Sequence, residues 1–387
     1  MDIIFLQAGG DAYGTIIWFL MFFVLIFLYP RMMLSQMIYS LEKSATQMET
    51  LSKKANHIVA KKISHMPTES LKKSIDDFTE FFVVAPSSMD PFGIVRKIDT
   101  TIRQMESRFS DFVNGVTKKD RDEINYGLRA AISLRQIAKI VRHYVETTKK
   151  YKNLQIAMIL KMQMPIIAEI ARSELKGAEA FLNQWPVGDG AGPLAVMALV
   201  DKMKPIATDV VYSTTSINGR KIFVLKADGP SPSLGRIDEA IDKIMKKNKI
   251  SRIITVDAGL KLEGEKTGTV AEGVGFAMGG WAEREIIENS VLAKKIPLDS
   301  IIVKVGIEDA IAPMKKEIYD AVPKVHELIE RSVNRTKRGS KVILIGVGNS
   351  CGVANSKKEL KNIKDVVEKL DKKANEEKAK GKKGSWF

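Results

Sequence analysis

The chain is poor in cysteine, in histidine and in long apolar runs. One cysteine, Cys351, stands among 387 residues. That excludes an internal disulfide framework and suits a reducing compartment. The four histidines, His57, His65, His143 and His326, are scattered and match no metal-binding spacing such as His-Glu-x-x-His. No lysine or arginine precedes Arg31, so the start lacks the basic region of a cleaved secretory signal. Beyond Arg31 positive charge is plentiful, and the net charge is +15. The basic residues are dispersed rather than gathered in one aromatic-interleaved stripe, which argues against a specific nucleic-acid partner.

Only one apolar run is long enough to span a bilayer. Ala12 to Leu28, with Ile16–Leu28 free of charge, has the length a helix rising ~1.5 Å per residue needs to cross a ~30 Å hydrocarbon core. Trp18 and Tyr29 fall near its two ends, as interfacial aromatics do. Acids precede the run, and Arg31, Lys43, Lys53, Lys54, Lys61 and Lys62 follow it. The positive-inside rule then predicts a single-pass protein of the cell membrane, with the N-terminus outside and the bulk of the chain cytoplasmic. Anionic lipid headgroups are the partner the net charge fits best beside a membrane span. The next best run, Leu154–Ile170, is interrupted by Lys161, Gln163 and Pro165 and reads as a buried amphipathic helix.

After this anchor (1–30) comes a juxtamembrane helix, 31–66. Leu34, Ile38, Leu41, Ala45, Met48, Ser52, Ala55 and Val59 alternate by four and three. That seam fits a short parallel coiled coil joining protomers, making residues 31–62 the contact of a homo-oligomer. It also fits a helix packed on its own domain. Residues 67–185 carry helical patterns throughout. Leu71, Ile75, Phe78 and Phe82 share one face, Ile94–Phe112 follows Asp90-Pro91, and Asp120–Lys150 and Asn153–Gln184 complete a helical domain.

The pattern changes at Trp185-Pro186. Asp209–Thr214 and Lys221–Lys226 read as strands about an Asn218-Gly219 turn. Arg252–Asp257, Ser300–Val305 and Lys341–Gly346 are apolar runs of buried-strand length. Helical patterns lie between them at Leu234–Lys247, Trp281–Ala293 and Glu308–Asn334. Residues 186–372 therefore predict an α/β C-terminal domain, a mainly parallel sheet with a hairpin. The lysine-rich tail 373–387 lacks an apolar face and reads as disordered.

Ligands of open parallel sheets bind beyond the C-terminal strand ends. Asp228, Gly229, Gly235 and Arg236 follow one strand and lead into a helix whose N-terminus, with Ser233 as cap, would suit an anion. Asp257, Lys261, Glu263, Glu265 and Lys266 occupy the longest loop. Glu265 intervenes between Gly264 and Lys266-Thr267, which excludes a phosphate-binding P-loop. Asp257, Glu263 and Glu265 would instead hold a hard cation such as Mg²⁺, or pair with the lysines. Gly348 and Asn349 follow the last strand, and Asp189 lies in a glycine-rich stretch ahead of a helix. Cys351 has no histidine placed to activate it.

Together the N-terminal span, VGDGAGPLAVMAL, KADGPSPSLGR, ITVDAGLKLEGEKTGTVAEGVGFAMGG and ILIGVGNSCGVANS resemble a family of archaeal membrane proteins defined only as a domain of unknown function. The resemblance implies a membrane location and brings no catalytic residues. GVGN at 346–349 and GDGAGPLA at 188–195 also resemble the G-x-G-N and D-D-x-x-G elements of phosphorylase/hydrolase-like peptidases, in reversed order and with one paired acid replaced by glycine. Three functions stay open: a module binding an anionic ligand or metal, a metal-assisted hydrolase or peptidase, and a membrane-tethered scaffold.

Overall fold

The computed structural model describes residues 5–81, 117–275 and 295–383, with side chains for 13–80, 117, 120–275 and 295–376. The patterns at 90–112 and 281–293 lie outside them. The chain divides into two compact units: Met1–Lys54 with Ser133–Arg172, and Ala55–Ile132 with Ser173–Phe387.

In the first unit helix α1 (Phe5–Phe23) runs through a π-helical segment, Val24–Leu28, into α2 (Tyr29–Ile63). The Tyr29 amide bonds the Val24 carbonyl, five residues back. Pro30, which has no N–H to give and crowds the preceding turn, supplies the reason for that widening. The helix from Tyr13 has a window of mean hydropathy 2.1 with none of it buried. It is long and apolar enough to span a bilayer, and it leaves outward the surface that lipid would cover.

The rest of α2 packs inward. Leu41, Ala45, Met48 and Ser52 are at most 1% exposed within the single chain, as are Ala55 and Val59. The expected seam is real, but its own chain covers it. The alternative of a helix packed on its own chain accounts for that burial, while Leu34 and Ile38 at the start of the seam are only half-buried; a homo-oligomer contact through residues 31–62 stays an expectation. Helix α4 (Lys118–Tyr151) contributes Leu134, Ala138, Val141 and Val145, and α5 (Leu154–Asn183) contributes Ala157, Leu160, Met164 and Ala168. Arg142 ties α4 to Glu42 and Glu49 of α2. Helix α5 departs from expectation. Only 28% of its apolar window is buried, and Met158, Ile159, Met162 and Ile166 are exposed. Its buried stripe consists largely of small residues, too narrow to enclose the helix.

The second unit joins α3 (Glu69–Phe81) and the segments 117–132 and 173–183 to the α/β domain. A 3₁₀ turn, Gly188–Gly190, leads into α6 (Ala191–Met197). Then follow β1 (Lys204–Ala207), β2 (Val210–Ile217), β3 (Arg220–Ala227), α7 (Ile237–Met245), β4 (Arg252–Leu260), β5 (Val270–Val274), β6 (Leu298–Val305), α8 (Lys316–Tyr319), α9 (Val322–Asn334), β7 (Lys341–Gly346) and α10 (Lys357–Lys383). The seven strands form one sheet in the order β1-β2-β3-β7-β4-β6-β5. β3, β7, β4 and β6 are parallel, and β1–β2–β3 and β5–β6 are antiparallel. Asn218 (φ 49°) and Gly219 (φ 76°) make the hairpin turn, both in the left-handed region a primed turn requires.

Helices cover both faces. Ile237, Ala240, Ile241 and Ile244 of α7 pack with Phe223, Leu225, Ile343 and Ile345. Residues of α6 and α9 pack on Ile222, Val224, Ile254, Val256, Ile301 and Leu344. Helix α10 reaches Lys383, into the stretch expected to be a disordered tail. The alanines, glutamates and lysines there are strong helix formers that need no buried face.

Candidate functional site

The C-terminal edge of the parallel strands is where the chain concentrates buried charge. Val256 pairs with Gly346, the last residue of β7, while β4 continues beside β6 to Leu260. Asp257 is therefore not the end of its strand, as expected, but the first residue past the end of β7. From Gly346 the chain turns away, with the Val347 amide bonding the Val256 carbonyl. Helix α6 closes on this point. A Cβ at Gly192 would collide with the carbonyl oxygens of Val256 and Val347, so only glycine allows the approach.

That approach carries Asp189 into place. Its Oδ2 accepts the Asn349 amide at 2.7 Å, and Gly348 (φ 115°) lies against its backbone carbonyl. Asp257 is 5% exposed, and its Oδ1 accepts the Ala258 amide at 2.7 Å. Burial and then the charge of Asp189 push the Asp257 carboxyl up to about 8, against the Ala258 hydrogen bond. Burial raises Asp189 too, opposed by the Asn349 amide. Asp189 keeps part of its surface open. Among the described residues no cationic side chain pairs with either carboxylate. At neutral pH such a pair holds a proton, or takes a cation in its place.

A second cluster lies at the C-terminal end of β3. Lys226 is fully buried, and its ammonium donates to the Ala227 carbonyl (2.9 Å), the Val353 carbonyl (3.2 Å) and Asn355 Oδ1 (2.8 Å). Those three acceptors match its three N–H bonds. Asp228 Oδ1 accepts Asn355 Nδ2 at 2.6 Å and the Gly229 amide at 3.0 Å. Burial draws the Lys226 pKa down to about 7, with Asp228 opposing. Lys226 and Asn355 were not among the expected site residues. The signal was present: Lys226 continues the inward alternation of Ile222 and Val224.

The other expected residues are not brought here. Arg236 is held by Asp238 at 3.1 Å, with Glu239 at 4.0 Å. Helix α7 starts at Ile237 rather than after Ser233, and Asp238 and Glu239 occupy its first turn. Two acids at that N-terminus repel the anion that was expected there. Gly235 (φ 67°) packs against the Asp209 carbonyl instead.

In the β4–β5 loop Glu263 and Lys266 are exposed, and Lys261 sits at the strand end, bonded through its amide to Val305. Glu265 pairs with Lys304 and accepts the Leu262 amide at 2.8 Å, which holds its carboxyl below the usual range. Among the described residues no three His, Cys, Asp or Glu side chains form a metal-holding group. The expected trio Asp257, Glu263 and Glu265 thus does not assemble: β4 runs on past Asp257 and carries the loop away from it.

Cys351 is fully buried with Ala130, Ala178, Ala180, Phe181 and Val187. Its Sγ lies 3.7 Å from the Ala180 carbonyl, and burial pushes the thiol up. It is a packing residue, since nucleophilic cysteines need a lowered pKa and access.

These features define a class: a helical region led by a helix apolar enough to span a membrane, joined to a mixed α/β domain with a buried carboxylate pair at its sheet edge. The chain belongs to the DUF1512 family. Residues 15–184 match the model of a protein of unknown function (DUF1512), N-terminal domain, and residues 187–354 match that of a domain of unknown function (DUF1512), C-terminal. A comparison with curated proteins finds no match.

Proposed function

We propose that this is a membrane-anchored protein whose α/β domain binds a divalent cation at Asp189 and Asp257. The observation that carries this reading is the buried pair itself. Burial raises both carboxyls, the charge of Asp189 raises Asp257 further, and no cationic side chain among the described residues answers them. A hard cation such as Mg²⁺ would displace the shared proton and take carboxylate oxygens as ligands. The anionic-ligand alternative loses its support with Arg236, which its own helix neutralises. The basic residues after the span support a cytoplasmic placement of both units.

A second reading builds on the same pair. The segments 188–195 and 346–349, which resemble peptidase elements, meet through the Asp189–Asn349 hydrogen bond. A bound cation there could activate water for a metal-assisted hydrolase.

The test is thermal unfolding of the full chain in detergent at pH 8, with and without Mg²⁺, Mn²⁺ or Zn²⁺. Saturating cation at a hundredfold excess over its dissociation constant should stabilise the fold by about 2.7 kcal/mol. Asp189→Asn and Asp257→Asn should each abolish that shift. No shift in the unsubstituted protein with any of the three metals would leave a membrane-tethered scaffold, whose glycine loops merely pack on one another.

A further inference from the structure

We propose that the turn joining α4 to α5 docks on the anionic surface of the membrane that holds the anchor. This rests on the reading of Ala12 to Leu28 as a membrane span. The argument begins with the ion pairs of the first unit. Arg142 binds Glu49, with Nε 2.7 Å from Oε1, and also Glu42. One register of two turns further along α4, Lys149 binds Glu42 at 2.5 Å. As α4 advances toward its C-terminus its partners on α2 therefore retreat toward the apolar helix. The turn at the end of α4 points at the membrane side.

Its distance follows from helix geometry. Glu42 stands fourteen residues past Leu28, roughly 21 Å at ~1.5 Å per residue. Tyr151 and Lys152 lie beyond Lys149, bringing the turn to about 17 Å from the hydrocarbon edge on the same rise. The headgroup layer of one leaflet fills roughly 5–7 Å of that. The remaining gap, roughly 10–12 Å, is about one and a half Debye lengths at physiological salt, and an ordinary ~20° tilt of the anchor narrows it for one face of the bundle.

The turn has the chemistry of that surface. Its sequence is Lys149-Lys150-Tyr151-Lys152-Asn153. Tyr151 is 66% exposed, with the Lys150 ammonium 5.3 Å from its ring centre. Lys152 holds a left-handed conformation (φ 47°), and Asn153 caps α5 through the Ile156 amide. The turn is thereby a fixed corner rather than a loose loop. The acids nearby, Glu42 and Glu146, are taken up by Arg142 and Lys149. Among the described residues Lys152, Lys43 and Arg31 form no ion pair. A basic, aromatic corner at this height matches anionic headgroups, with tyrosine at the interface and lysines over the phosphates.

The experiment uses the full chain with an environment-sensitive dye on Gln155→Cys, an exposed site next to the turn. Buried Cys351 stays unlabelled. The protein is reconstituted in vesicles of phosphatidylcholine, or of phosphatidylcholine mixed with phosphatidylglycerol, and the dye is quenched with uncharged acrylamide. The expected result is weaker quenching in the anionic vesicles, reversed by high salt and by Lys150→Glu/Lys152→Glu. Each lysine near such a surface favours the docked state about fivefold. A dye on Lys53→Cys, exposed and eleven residues further along α2 than Glu42, should show no lipid dependence. Protein that floats with vesicles but quenches alike in both lipids overturns the docking alone. Protein that does not float with phosphatidylcholine vesicles overturns the anchor and the docking with it. Shielding equal in both lipids that vanishes as chains per vesicle are diluted identifies a second copy at the corner, and overturns the proposal too.

Discussion

Asp257 and Lys226 act on stability with opposite signs. The Asp257 carboxyl titrates near 8 in the fold and near 3.9 in an unfolded chain. Its stabilising contribution is complete below about pH 4 and is lost as pH rises through about 8. Lys226 titrates near 7 in the fold against ~10.4 unfolded. Burying its charge opposes folding below about pH 7, and stability returns as pH rises from there toward 10. Unfolding temperature in metal-free buffer should therefore fall between pH 5 and 8 on account of Asp257 and recover above on account of Lys226. Asp257→Asn should remove the fall and keep the recovery. Lys226→Met should remove the recovery, with a lower temperature throughout because it strands the Ala227, Val353 and Asn355 acceptors. A profile that Asp257→Asn leaves unchanged would show that the carboxyl is not buried protonated. Little of this was legible beforehand. Asp257 and Asp189 stood out by residue type and loop position, but their meeting depends on α6 closing over β4 and β7, a contact across 68 residues that no local pattern records.

The elements were more legible than their partners. Apolar runs at Arg252–Asp257 and Lys341–Gly346 located β4 and β7, because a strand buried on both faces must be apolar throughout. β1 and β5 escaped notice. Both are edge strands with half-exposed residues, and an edge needs no apolar run. The four-three seam of α2 was equally plain, but periodicity states that a face is buried and not by which chain. Leu41 decides this experimentally. It is 1% exposed in the monomer, so Leu41→Ala should lower stability by about 2–5 kcal/mol, as cavities in cores do. Crosslinking in detergent should find the association state unchanged. A loss of oligomer without a loss of monomer stability would favour the coiled coil.

At the scale of the molecule, hydropathy marks a helix long and apolar enough to span a membrane, well before anything says what the chain does. A candidate span, a helical region and an α/β domain follow from patterns that any membrane and any sheet impose. The site does not, because two aspartates are ordinary residues until burial changes their proton affinity. The account therefore turns on whether Asp189 and Asp257 exchange a proton for a cation. The direct measurement is proton release when Mn²⁺ is titrated into the full chain in weakly buffered detergent solution. With Asp257 titrating near 8, binding at pH 7 should release close to one proton per cation, and far less at pH 9, where the carboxyl is already ionised. Asp257→Asn should bind no cation and release none. Saturable binding with no proton released at pH 7, or undiminished binding by Asp257→Asn, would contradict the account.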